Sequence, residues 1–139
     1  MKISDILKEN RVTLTYEVFP PRAGDTYAAV AEKARTISAL CPAFMSVTYR
    51  AGGDTSDYTV ELASDISGRF GVESLAHLTC VSSTREEISS MVAALRAAGI
   101  ENILALRGDI PRDADFPSPE HYHYASELIG HIRSLEGGK

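Results

Sequence analysis

The chain has 139 residues, 44% of them hydrophobic and 24% charged, with a formal net charge of −5. That length and composition suit one globular domain with a real core, and the acidic balance argues against a nucleic-acid surface. No apolar run approaches a membrane span, and the opening "MKISDILKEN" has no apolar core of a secretory signal. Cys41 and Cys80 form no CxxC pair, which points to a reducing, cytoplasmic setting rather than a disulfide scaffold.

The first ten residues read as a short extra helix. Four short apolar, partly β-branched runs follow: "LTYEVF" (14–19), "FMSVTY" (44–49), "SLAHLTC" (74–80) and "NILALRG" (102–108). Helical patterns separate them. After the first run, Asp25 is the expected N-cap of a helix with a stripe at Val30, Ala34 and Ile37. After the second, Leu62 and Ile66 share a helical face, and Gly71 closes the segment. After the third, Thr84-x-x-Glu87 is a capping box ahead of a stripe at Ile88, Met91, Val92 and Leu95, and Gly99 ends it. After the fourth, Ser118 is the expected cap and Pro119 the first helical residue, with Leu128, Ile129, Ile132 and Leu135 as the apolar stripe.

A βαβαβαβα order predicts a parallel sheet covered by helices. Period-two alternation then sorts the strand residues. One face carries Thr15, Glu17 and Phe19, then Phe44, Ser46 and Thr48, then Leu75, His77 and Thr79, and finally Ile103, Ala105 and Arg107. Glu17, Thr48, His77 and Arg107 therefore fall near the C-terminal strand ends, spaced by 31, 29 and 30 residues. This is the layout of a (β/α) barrel with its site at the C-terminal mouth. A full TIM barrel needs eight β/α units; with four present, residues 1–139 are expected to be one α/β domain that is either an open four-stranded sheet, a half-barrel that pairs with another half, or a truncated chain.

Within this layout Glu17 lies in an otherwise apolar strand. Burial there would favour its protonated form and make it a proton donor; pairing with Arg22 or Arg107 is the alternative. "FPPR" (19–22) ends the first strand and stiffens its loop. His77 is open to titration near neutral pH or to a plain hydrogen-bonding role. Arg107-Gly108-Asp109 is the strongest local signal, since an arginine fork can hold an anionic or carbonyl group and an aspartate can bind an N–C–N edge; a local salt bridge at a corner is the alternative. His121, His123 and His131 lack a matching acidic set, so no metal site is expected. No GxGxxG or GxxxxGK[ST] follows any strand.

The blocks "TYEVFPPR", "FMSVTYRAGG", "LAHLTC" and "ILALRGDIPRD", with the later "HYASELI", together resemble methylenetetrahydrofolate reductase of the bacterial flavoprotein type. The resemblance implies an FAD-containing eight-stranded TIM barrel, of which residues 1–139 are the N-terminal half of one domain, four β/α units of a truncated chain. Such an enzyme reduces 5,10-methylenetetrahydrofolate to 5-methyltetrahydrofolate with NAD(P)H, in one-carbon metabolism leading to methionine. It implies that Glu17 is the general acid. Thr48, Tyr49, Ala51, His77, Arg107, Gly108, Asp109, Tyr124 and Ala125 are implied as FAD contacts, with Asp109 also reaching the folate. It further implies a C-terminal half-barrel as partner, a homo-oligomer when complete, and inactivity of the 139 residues alone. The competing expectation is a non-catalytic half-barrel that serves ligand binding or assembly.

Overall fold

A computed structural model describes residues 1–9, 12–22, 24–49, 55–110, 112 and 116–135, with backbone alone at 55–57. In chain order the elements are α1 (Ile3–Glu9), β1 (Thr15–Val18), α2 (Tyr27–Ser38), β2 (Phe44–Val47), α3 (Thr55–Ser64), β3 (Ser74–Thr79), α4 (Arg85–Ala97), β4 (Ile103–Leu106) and α5 (Ala125–Leu135). The strands form one sheet in the order β1-β2-β3-β4, and every pair is parallel. Four β/α units in sequential order are half of a (β/α) barrel, as the alternation of elements predicted.

Parallel partners point to the same side of a sheet, so the register assigns the faces. Val18, Met45, Val47, Ala76 and Leu78 lie on the buried face and join Ala34, Leu62, Ile66, Ile88, Leu95 and Leu128 in a single core. On the other face Glu17 pairs with Ser46, Ser46 with Leu75, and His77 with Leu104. The last pairing corrects the expected parity of the fourth strand. Leu104 and Leu106 share the face of Glu17 and His77, whereas Ile103 and Ala105 pack against the core. "ILAL" is apolar at every position, so its pattern carries no parity, and a one-residue slip turns every side chain over. Arg107 lies beyond the last paired residue, so the corner rather than strand alternation sets its direction.

Local chemistry explains where the helices begin. Thr84 and Glu87 form the expected capping box, and Ile88, Met91, Val92 and Leu95 are all buried beneath α4. The cap of α2 is Thr26 rather than Asp25: the Thr26 hydroxyl accepts from the Ala29 amide at 3.3 Å, while Asp25 accepts from the Arg22 amide at 3.2 Å and closes the first loop. The last helix starts at Ala125, six residues later than the expected first helical residue Pro119. Ser118 uses its groups in a local turn, its carbonyl accepting from the His121 amide at 3.0 Å and from His123 Nε2 at 3.2 Å. Of its expected stripe, Leu128 is fully buried and Ile132 partly so, but Ile129 and Leu135 are exposed.

Beyond Ser64, α3 widens into a π-helical turn, Asp65–Arg69, in which the Phe70 amide donates to the Asp65 carbonyl at 2.9 Å. Asp65 is buried there and accepts from Tyr27 Oη at 2.8 Å and from Arg69 Nη1 at 3.0 Å, tying α3 to α2. Just before β4, Asn102 anchors α1: its Oδ1 accepts from the Ile3 amide at 3.0 Å and its Nδ2 donates to the Met1 carbonyl at 2.9 Å. No helix among the described residues is long and apolar enough to cross a membrane.

Both β1 and β4 are edge strands, and Leu14, Phe19 and Leu104 are exposed beside them. Unpaired parallel edges with apolar flanks recruit further strands. Residues 1–139 expressed alone are therefore expected to self-associate at micromolar concentration; sedimentation as a stable monomer would contradict this.

Candidate functional site

The C-terminal strand ends bring the expected polar residues to one rim. Glu17 on β1 and His77 on β3 flank Ser46 of β2, and Glu17 Oε2 lies 3.8 Å from His77 Nε2. That is too long for a hydrogen bond and gives an ion pair only when the imidazole is protonated. The expected burial of Glu17 does not hold: its side chain is 49% exposed, against 9% for His77. The physical reason is the open face, since four strands leave nothing opposite β1. Nor does Glu17 take either arginine as partner here. Arg22 stands over the Phe19 ring at 5.4 Å, and Arg107 Nε donates to the Gly108 carbonyl at 3.4 Å.

His77 Nε2 is buried and has no hydrogen-bond partner. Burial pushes the imidazole below the ordinary histidine value of 6.5, and the Glu17 carboxylate opposes that only in part. A neutral ring with a free nitrogen at the mouth of a sheet is equipped to meet a polar group of a ligand.

Thr48 and Tyr49 leave β2 as a braced corner. The Thr48 amide donates to the Val18 carbonyl at 3.0 Å, the Thr48 carbonyl accepts from Thr59 Oγ1 at 3.3 Å, and Tyr49 Oη lies 2.7 Å from Ser83 Oγ. Burial raises the Tyr49 phenol and the Ser83 hydrogen bond opposes it. With Phe19, Pro20 and Arg22, these two residues line a groove of about 170 Å³. A larger cavity of about 670 Å³ lies outside β4, between α4 and α5, lined by Val92, Ile100, Ile103 and Ile132 among others. It marks the uncovered flank of the edge strand and contains none of the expected site residues.

The fourth corner owes its shape to Gly108, which has φ +84°, and a Cβ there would approach Thr79 Cβ to 3.1 Å. The Val81 amide donates to the Arg107 carbonyl at 3.0 Å, so the loops after β3 and β4 run together. Asp109 follows, exposed. Tyr124 is 63% exposed, and its carbonyl accepts from the Leu128 amide at the head of α5, whose first residue is Ala125. Ala51 lies outside the described residues. Among the described residues no group of three or more His, Cys, Asp or Glu side chains is placed to hold a metal ion. Sequence reasoning missed Thr59 and Ser83. Neither carries a signal, because a serine before a capped helix and a threonine within a helix read as ordinary.

Residues 2–139 match the family model described as methylenetetrahydrofolate reductase. The chain is 36% identical over 138 residues to "Methylenetetrahydrofolate reductase (NADH) 1" of Arabidopsis thaliana, covering 98% of this chain and 23% of that protein. It is 33% identical over 127 residues to the 5,10-methylenetetrahydrofolate reductase of Escherichia coli (strain K12), covering 91% of this chain and 42% of that protein. Against "Methylenetetrahydrofolate reductase 1" of Schizosaccharomyces pombe the identity is 35% over 140 residues, with 96% and 23% covered. The chain thus spans less than half the length of these relatives.

Two measurements check this geometry. Gly108→Ala forces a side chain into the left-handed region and against Thr79, so it is expected to cost about 1–2 kcal/mol of stability in urea denaturation; a neutral result would mean that the corner is laxer than described. The second concerns His77. Well above pH 6.5, the ordinary histidine value, its ring is neutral in both folded and unfolded chains and stability does not depend on it. As pH falls below that value the unfolded chain takes up the proton first, and stability declines until the lowered folded value is passed. His77→Gln is therefore expected to flatten the stability profile below pH about 6.5; identical slopes for the two proteins would show that the ring titrates alike in both states.

Proposed function

The chain belongs to the methylenetetrahydrofolate reductase family, and on that premise we propose that it supplies the first half of a barrel that reduces 5,10-methylenetetrahydrofolate to 5-methyltetrahydrofolate with NAD(P)H, using FAD. The observation that carries this reading is the family match over residues 2–139, which takes in every residue of the rim. The buried, partnerless Nε2 of His77 supports it, since a polar ligand atom would satisfy that nitrogen. When bound, the flavin would take hydride from the nicotinamide and pass it on. Thr48, Tyr49, His77, Arg107, Gly108, Asp109, Tyr124 and Ala125 would hold it, together with Ala51, and Asp109 would also meet the folate.

Glu17 has the chemistry of an acid at this rim. Its carboxyl oxygen would hold a proton and deliver it to the bridging nitrogen of the folate, so that the methylene bridge opens to an iminium able to accept hydride. The neighbouring His77 imidazole is held neutral by its burial. A second half-barrel would cover the open face and exclude water from Glu17. For the same reason residues 1–139 alone are expected to show no turnover.

The test is Glu17→Gln in a polypeptide whose barrel is complete. Glutamine keeps the shape but not the transferable proton. Flavin reduction by NAD(P)H should stay within a few-fold, while reoxidation by methylenetetrahydrofolate should fall by about 10²–10⁴-fold. Stopped-flow measurement separates the two half-reactions. Equal losses in both, with lower thermal stability, would make Glu17 a structural residue.

A further inference from the structure

The loop from β3 to α4 touches both corners that flank it. On the β4 side, the Val81 amide holds the Arg107 carbonyl, and the Thr79 side chain closes on Gly108. Within the loop, Thr79 Oγ1 and Ser82 Oγ are hydrogen-bonded to each other. On the β2 side, Ser83 Oγ meets Tyr49 Oη at 2.7 Å, and Ser83 is only 1% exposed. Ser83 is itself fixed from behind. The next residue, Thr84, is the N-cap of α4, with its hydroxyl accepting from the Glu87 amide at 3.2 Å and its own amide donating to Glu87 Oε2 at 2.7 Å. Ser83 cannot shift without straining that capping box, whose helix is seated by Ile88, Met91, Val92 and Leu95. Its hydroxyl is thus an anchored group, and Tyr49 is its partner. The Thr48 main chain has a hydrogen bond on each side, to the Val18 carbonyl and from Thr59 Oγ1, but neither restrains the tyrosine ring.

We propose that Ser83 is a positioning residue for the corner formed by Thr48 and Tyr49: its hydroxyl, fixed at the head of α4, holds the Tyr49 ring and so presets the chain turning off β2. The proposal rests on reading that corner as cofactor-binding. Ser83 acts through Tyr49. Without it, a half-buried phenol loses its partner and the corner gains conformations that a ligand must then order.

The experiment uses Ser83→Ala, Ser83→Thr, Tyr49→Phe and the Ser83→Ala/Tyr49→Phe pair in the complete-barrel polypeptide. Amide hydrogen exchange reads the corner, and FAD titration followed by flavin fluorescence reads the site. The Thr48 amide, bonded to Val18, is the local reporter; the amides of Val92 and Leu95 in α4 are the control. Ser83→Ala should speed Thr48 exchange by about three- to tenfold, the range expected for one lost hydrogen bond, and weaken FAD binding by a similar factor while the control amides stay unchanged. The double variant should exchange no faster than the worse single one, and Ser83→Thr, which keeps the hydroxyl, should restore both readouts. Unchanged Thr48 exchange in Ser83→Ala overturns the proposal. So does faster exchange with an unaltered FAD dissociation constant, and so does a uniform rise across α4 with a lower Tm, which would mark Ser83 as a general stabiliser. A wild-type protein that binds no FAD refutes the cofactor reading instead, and the exchange cycle still decides whether Ser83 holds the corner.

Discussion

The pairing of β3 with both its neighbours is the constraint on which the rim depends. β3 is the longest strand, six residues against four in each of the others. Its buried side, Ala76 and Leu78, fits beneath helices that also cover Met45 and Val47. Once that face is buried, parity leaves Leu75 and His77 no direction but the open one. The position of His77 beside Glu17 is thus a by-product of core packing. The cost of desolvating its ring is carried by the same packing that seats Leu78.

Beyond Thr79 the same strand organises its surroundings through its loop. Backbone and hydroxyl contacts link residues 79–83 to the corner after β2 on one side and to the corner after β4 on the other. Short parallel strands cannot by themselves fix the loops that follow them, because each loop leaves the ladder where pairing stops. Here the loops fix one another. The capping box at Thr84 and Glu87 gives that arrangement a rigid support.

The open face explains the mismatch between the chemistry expected of Glu17 and its surroundings. A carboxylate on the inner wall of a closed barrel is shielded by the strands opposite. With four strands there is no opposite wall, and water reaches Glu17 on the edge strand β1 while His77, on the inner strand β3, stays covered. The exposure of Leu104 has the same origin.

Much of this was legible in the amino-acid order. The alternation of apolar runs and helical stripes determined a parallel β/α half-barrel, and the capping box at Thr84 gave the start of α4 to the residue. The blocks around Glu17, Thr48, His77 and Arg107 pointed to the family that the comparisons then established. Tertiary structure decided what local pattern leaves degenerate. "ILAL" has no polar residue to report its parity, so only packing beneath α4 and α5 could turn Ile103 and Ala105 inward. Asp25 and Thr26 are both competent caps, and Ser118 is competent as well; which of them serves a helix depends on whether a nearby amide claims the side chain first. Ser83 gave no sign at all, because its role comes from Tyr49, 34 residues away in sequence and 2.7 Å away in space.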